Sequence, residues 1–501
     1  MLALVSLGAF ESLAVATAMP TIAAALDGLH LYAPAFAVTL STSVVGMVLA
    51  GYFTDRSRPL YTLLGGGGVF VGGLLVAGAA GSMWALLAGR ALQGLGAGAY
   101  VIALYVMVGE VFSPARRPRV LAMFSAAWVL PSLIGPVIAG VVVEALGWRW
   151  VFHGVALLAV PSALLILWAT RHGEDRAQAE AQSTVGTQST GETHGPVATP
   201  GTVEPQDPMT SRTGPSSALP AGTPRSPRSP RSPRSPRSPR SLMLTRLALA
   251  AGAGAGVAVM SVASSTTGPG RTVGLAVGAV VVAVLGLRLL PAGTLTARPG
   301  LPALVGVRGL MAAAFFGAEV YLPLILQHER GLSPARAGTI LTVGAVTWAL
   351  GSAARSRSAW SSTTFLRLGS ALVATGVGVV AFLTWAPAPT AVAWVGWALA
   401  GLGVGMVYPT LSLLVFEIAR PGEQGAGMSA LQTSDALSTA FALALAGALI
   451  TPLVARLGST GYLAGFGLSV ALAVVAGLVS GRIQPHAGGD DGVSPARATT
   501  A

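Results

Sequence analysis

Glu11 stands in the middle of an apolar run, residues 1–25, that holds no other ionisable side chain. At about 1.5 Å of rise per residue it lies about 15 Å along a helix that would cross about 30 Å of hydrocarbon. A charge near the bilayer midplane is costly and usually functional. A carboxyl group at that depth can exchange a proton, so proton coupling is the chemistry it suggests. Arg90, in Arg90-x-x-Gln93-Gly94, is the second candidate. It lies about 9 Å inward of the outer end of its run, deep enough to need a partner unless it snorkels outward. Burial favours the neutral form of an acid and a nearby cation favours the charged form. An arginine that moved relative to Glu11 would therefore switch its proton affinity. Gln93 is a candidate for lining a substrate cavity. Asp435, about 12 Å into a later run, is a candidate second proton-coupling residue or a binder of cationic substrate. Glu319, about 24 Å into its run, is a further cavity candidate, against the plainer reading that Tyr321 or backbone satisfies it.

Other motifs point to gating and packing. Gly51-x-x-x-Asp55-Arg56-x-Arg58 closes an apolar run. Its glycine would let another backbone approach, and its charges could form an inner gate by capping a neighbouring helix or meeting acidic partners. The plainer reading is a positively charged inner loop. Pro131-x-x-x-Gly135-Pro136-x-x-Ala139-Gly140 reads as a packing hinge with no acid–base role, because proline removes a backbone hydrogen bond and small residues allow close helix contact. Gly94 belongs to the same packing class. Gly147-Trp148-Arg149-Trp150-x-Phe152 reads as an interface anchor.

The elements that must position these residues are set by composition. Of 501 residues, 53% are hydrophobic and 10% charged, with 65 glycines, against about 25% charged in soluble domains. The absence of cysteine excludes disulfide and thiol chemistry. All 30 basic residues are arginine, and the net charge is +12; in a membrane protein this excess is expected on the cytoplasmic side rather than on nucleic acid. No phosphate loop, metal-ligand cluster or nucleophile constellation stands out. No enzyme activity, cofactor or metal is therefore expected.

Apolar runs of spanning length fall at about 2–25, 33–54, 60–80, 84–108, 119–143 and 149–170, then 243–263 and 272–290, then 303–327, 335–354, 364–386, 390–416, 427–453 and 459–481. The expected fold is an all-α integral membrane protein with 14 transmembrane helices: two six-helix bundles as parallel pseudo-repeats, plus an inserted helix pair. The repeat is visible directly. Arg90-Ala-Leu-Gln-Gly-Leu-Gly-Ala-Gly98 matches Trp397-Ala-Leu-Ala-Gly-Leu-Gly-Val-Gly405 at six of nine positions. An even number of inserted helices keeps both halves in one orientation. The expected domains are 1–170, a cytoplasmic Pro-Arg-Ser linker at 171–242, a helix pair and connector at 243–300, a second half at 301–482, and a cytoplasmic tail at 483–501. The linker and tail compositions read as disordered. Arginine counts in the short loops place both termini inside. The chain begins within the first run without a leader, which opens a misassigned start codon as one reading.

Together these motifs resemble the major facilitator superfamily, and within it the 14-span drug:proton antiporters. Arg90, Gln93 and Gly94 match the family's fourth-helix motif. Gly135, Pro136 and Gly140 match the antiporter motif of the fifth helix, and Gly147 to Phe152 looks like the run before the sixth. Glu11 stands nine residues before Pro20, where the family commonly places an aspartate. Asp55-Arg56-Ser57-Arg58-Pro59 lacks the glycine usual in the family's second-to-third loop. The resemblance implies a proton-driven exporter of amphipathic small molecules in the cell membrane, working by alternating access, with Glu11 as proton-coupling site. The expected partners are the bilayer, protons and a small-molecule substrate, with no nucleic acid, and the chain is expected to act as a monomer. An importer or facilitator on the same fold, and a non-transporting receptor or scaffold, are the alternatives.

Overall fold

A computed structural model of the chain describes residues 2–54, 56–112, 117–162, 164–165, 239–264, 266, 268–385, 387–419 and 424–483. The expected linker, apart from its last few residues, and the expected tail beyond Ile483 lie outside them. The secondary structure is helical throughout, with no strand among the described residues. The helices are α1 (Leu2–Ala25), α2 (Tyr32–Thr54), α3 (Pro59–Gly78), α4 (Met83–Val111), α5 (Arg117–Leu146) and α6 (Arg149–Ser162). After residue 238 come α7 (Pro239–Ser264), α8 (Pro269–Val281), α9 (Leu301–Leu324), α10 (Pro334–Arg357), α11 (Ser362–Ala381), α12 (Ala391–Ile418), α13 (Gln424–Leu457) and α14 (Leu463–Val479). Starts follow local chemistry. Ser82, Ser333 and Ser361 accept hydrogen bonds from the backbone N–H groups of Ala85, Arg336 and Thr364, which satisfies donors left free in the first turn. Proline fits the first turn of α3, α8, α9 and α10 because no N–H partner is lost there.

By length and apolarity, eleven helical stretches among the described residues can cross a membrane, or up to twelve if the bent pair is one span. The expected count of fourteen is higher for two reasons. Residues 134–162 break at Gly147 and turn by 118° between α5 and α6. The last two expected spans form one stretch, Ala426–Arg482, in which a 3₁₀ turn at Gly458–Tyr462 joins α13 to the 17-residue α14.

The repeat seen in the sequence is also a repeat of packing. A Cβ at Gly94 would overlap the Thr39 carbonyl and the Thr42 hydroxyl of α2; one at Gly401 would overlap the Gly344 carbonyl and the Thr347 hydroxyl of α10. Gly98 meets Ser43 as Gly405 meets Trp348, and Gly96 meets α3 as Gly403 meets α11. In lipid no hydrophobic force drives helices together, so backbone approach over small residues supplies the van der Waals contact. Thus α4 packs between α2 and α3, and α12 between α10 and α11.

Contacts of α1 with α9 and α10, of α2 with α13, and of α5 with α10 join the first half to the second. A small cluster of Val44, Ala250, Ala253, Ala436 and Leu437 seats α7 on α2 and α13 together. Arg271 of α8 donates to the Ala448 carbonyl of α13.

Candidate functional site

Two buried ion pairs stand out. In the first, Arg90 Nη1 on α4 lies 2.5 Å from Glu11 Oε1 on α1. Both residues are buried, at 4% and 6% exposure. Gln93, one turn from Arg90, closes the cluster: its Oε1 accepts from Arg90 Nη1 at 3.0 Å and its Nε2 donates to Glu11 Oε1 at 3.4 Å. Arg90 Nε reaches the Ala35 carbonyl of α2 at 3.4 Å. One guanidinium therefore ties three helices around one carboxylate. A carboxylate buried without such donors would be strongly disfavoured. Arg90 is turned into the protein, which corrects the snorkelling alternative. Gln93 is fully buried and bridges the pair.

In the second pair, Arg308 Nη2 on α9 lies 2.5 Å from Asp435 Oδ2 on α13. The Tyr408 hydroxyl on α12 donates to Asp435 Oδ1 at 3.3 Å, and the Arg308 guanidinium lies 3.4 Å from the centre of the Tyr408 ring. Stacking of that kind favours arginine over lysine. Sequence reasoning found Asp435 but missed Arg308 and Tyr408. The signal for Arg308 was present: an arginine inside the apolar run at 303–327. Nothing local marks Tyr408 as its partner.

Glu319 is 9% exposed and makes no hydrogen bond among the described residues. The expectation that Tyr321 satisfies it is corrected, because the buried Tyr321 hydroxyl has no partner there either. Tyr32 instead donates to the Val320 carbonyl at 2.7 Å, and Gln327, in the π-helical turn Ile325–Glu329 that continues α9, links it to α1 by donating to the Thr17 carbonyl at 2.8 Å and accepting from the Thr21 hydroxyl at 3.2 Å.

Of the residues of the expected gate, Gly51, Arg56 and Arg58 are among those described. Asp55 lies outside the described residues. Among the described residues, no atom of another element lies within 4 Å of a Cβ placed on Gly51. Arg56 folds back over the ring of Tyr52 at 3.7 Å, and Arg58 occupies the position before the first turn of α3 without a side-chain cap bond. The packing hinge is placed between two neighbours. Gly135 faces Phe10 of α1, with 3.3 Å to a Cβ placed there, and Gly140 faces the backbone of Pro334 and Ala335 in α10. The Pro136 carbonyl meets Gly338, and Glu144 Oε1 accepts from the Ala335 N–H at 2.8 Å. Of the expected interface anchor, Trp148 is instead buried and carries Arg149 at 4.3 Å; Trp150 is exposed.

The Major Facilitator Superfamily model matches residues 1–443. A probable multidrug-efflux transporter of Mycobacterium tuberculosis is 26% identical over 483 residues, covering 93% of this chain and 90% of that one. A multidrug transporter protein of Bacillus subtilis is 32% identical over 145 residues, 29% of this chain and 27% of that one. An MFS-type transporter of an acurin A biosynthesis cluster in Aspergillus aculeatus is 33% identical over 168 residues; the chain spans only 29% of that relative's length. Among solved structures, a POT family transporter shares the fold with TM-score 0.62 at 14% identity, over 96% of each chain.

Proposed function

We propose that this chain, which belongs to the Major Facilitator Superfamily, is a proton-driven exporter of amphipathic small molecules that works by alternating access. It is a multi-pass membrane transporter. The observation that carries the proton-driven reading is the Glu11–Arg90–Gln93 cluster, a carboxylate held on α1 by donors from α4.

In this reading a proton arriving on Glu11 removes the attraction to Arg90. The guanidinium keeps Gln93 and the Ala35 carbonyl, so α4 stays tied to α2 while its hold on α1 weakens. The same α1 carries Thr17 and Thr21, which hold Gln327 in the turn that continues α9. A shift of α1 thereby reaches the second half of the chain. The membrane potential contributes about 2.3 kcal/mol per charge per 100 mV to such a cycle. Asp435 is assigned as a second proton-coupling residue by the same logic. Substrate crosses between the halves, and Glu319 lines its path.

The reading includes the finer arrangement expected from the sequence: fourteen spans as six, two and six, the domain limits at 170, 242, 300 and 482, and cytoplasmic termini. It also includes a gate at Gly51, Asp55, Arg56 and Arg58, and a monomer as the working unit. Purified protein in vesicles with an imposed pH gradient tests the function. Dye efflux that follows the gradient and disappears with an uncoupler is expected. Efflux indifferent to the gradient would leave a facilitator.

A further inference from the structure

Besides its pair with Asp435, Arg308 keeps one donor unused. Its Nε–H is buried and has no hydrogen-bond partner among the described residues, although the residue is only 7% exposed. A buried donor left unpaired costs free energy that a ligand acceptor would recover. Beside it stand three partly buried rings from three helices: Phe316 on α9, Trp348 on α10 and Tyr408 on α12. They touch one another, with centroids 6.4 Å apart for Phe316–Trp348 and Phe316–Tyr408 and 5.2 Å for Trp348–Tyr408. Tyr408 is also the ring under Arg308, so the unused donor and the aromatic wall are contiguous.

The charges select the ligand. Arg308 and Asp435 already neutralise each other. A further anion here would be uncompensated and would also meet the Glu319 carboxyl of the same helix, and a cation would leave Nε–H without an acceptor. A neutral acceptor has no such cost and satisfies Nε–H. Ring edges and faces at these separations favour a flat π system. We infer that Arg308 and the Phe316–Trp348–Tyr408 wall form a binding site for uncharged, planar polycyclic compounds carrying a ring carbonyl, such as aromatic ketones and quinones. The inference rests on the transporter reading above and names a substrate class for it.

Fluorenone and fluorene have the same planar frame, and only the first carries the carbonyl. Their binding to the full chain in nanodiscs is measured by calorimetry, with empty nanodiscs subtracting partition into lipid. Fluorenone is expected to bind about tenfold more tightly than fluorene, the scale of a hydrogen bond to a charged donor. Arg308→Lys keeps the charge opposite Asp435 but removes Nε–H, and is expected to bring the two ligands to equal affinity. Trp348→Ala is expected to weaken both. Equal binding of the two compounds to the unaltered chain overturns the inference without need of any variant. So does tighter binding of protonated 9-aminofluorene than of fluorenone, which would place the ligand at Glu319 instead. Gradient-driven efflux of a cationic dye, measured in parallel, separates the two levels: efflux that persists while fluorenone shows no preference sinks this site and leaves the transporter reading standing.

Discussion

Arg90 Nη1 and Glu11 Oε1 lie 2.5 Å apart although the residues are 79 positions apart in the chain, and Gln93 touches both. Such a pair is worth little as net stability but is expensive to break from one side. Loss of one partner of a buried pair costs about 3–5 kcal/mol, because the other charge is left uncompensated. Glu11→Gln and Arg90→Gln should therefore each lower thermal stability in detergent. The double variant should recover part of the loss, and a double-mutant cycle measures the coupling. Strictly additive losses would mean that the two groups do not interact.

Glu11→Gln should also abolish gradient-driven dye efflux in vesicles while the protein stays monodisperse. The amide fills the same space and can accept from Arg90, but it carries no exchangeable acid proton in this range. Glu11→Asp, one methylene shorter, should keep gradient dependence at a reduced rate. Full coupling in the glutamine variant would remove Glu11 from the proton path.

Glycines at equal sequence depth should respond unequally to alanine. At Gly94 and Gly401 the added methyl overlaps backbone of the facing helix, whereas at Gly51 it meets open space. Gly94→Ala and Gly401→Ala should lower the unfolding temperature by several degrees. Gly51→Ala should be neutral or stabilising by up to about 1 kcal/mol, the helix-propensity gain of alanine over glycine. A destabilised Gly51→Ala would mean that the residue packs in another conformation of the cycle.

Gln327→Ala should loosen the contact between α1 and α9, because it removes the links to Thr17 and Thr21. A net loss of about 1 kcal/mol, the low end for two hydrogen bonds, shifts a two-state population about fivefold. The chain has no cysteine, so Ala33→Cys on α2, beside Tyr32 whose hydroxyl donates to the Val320 carbonyl of α9, gives a label site without background. Its labelling rate by a water-soluble maleimide should rise about fivefold in the Gln327→Ala background. An unchanged rate would show that the Gln327 contacts do not hold this interface closed.

Shortening the Pro-Arg-Ser tract, with a flexible connection retained, should leave transport intact. Its composition is that of a solvated spacer. Loss of efflux after removal of residues 224–241 alone would favour a partner-binding role for this tract.

Much of the candidate site was legible in the sequence because lipid makes polar residues conspicuous. Glu11, Arg90 and Asp435 stand out as ionisable groups in apolar runs, and a charge at that depth needs a reason. The glycine repeat at Gly94 and Gly401 was equally visible, and its packing follows from the absence of side chains. What the sequence did not decide was pairing. That Gln93 bridges the charges of Arg90 and Glu11 is visible only in the tertiary structure.

The number of long apolar runs, the acids within them and the repeat are thus properties of the chain itself, set by hydropathy and by one-dimensional spacing. The partnership of Arg308 with Asp435, 127 positions away, and the three rings beside the free Nε–H were decided by tertiary structure. The reason is physical. In a span that is apolar on every side, periodicity does not say which face meets which neighbour. Only the approach of backbones over small residues, and the need of each buried charge for a counter-charge, selects the rotation of each helix.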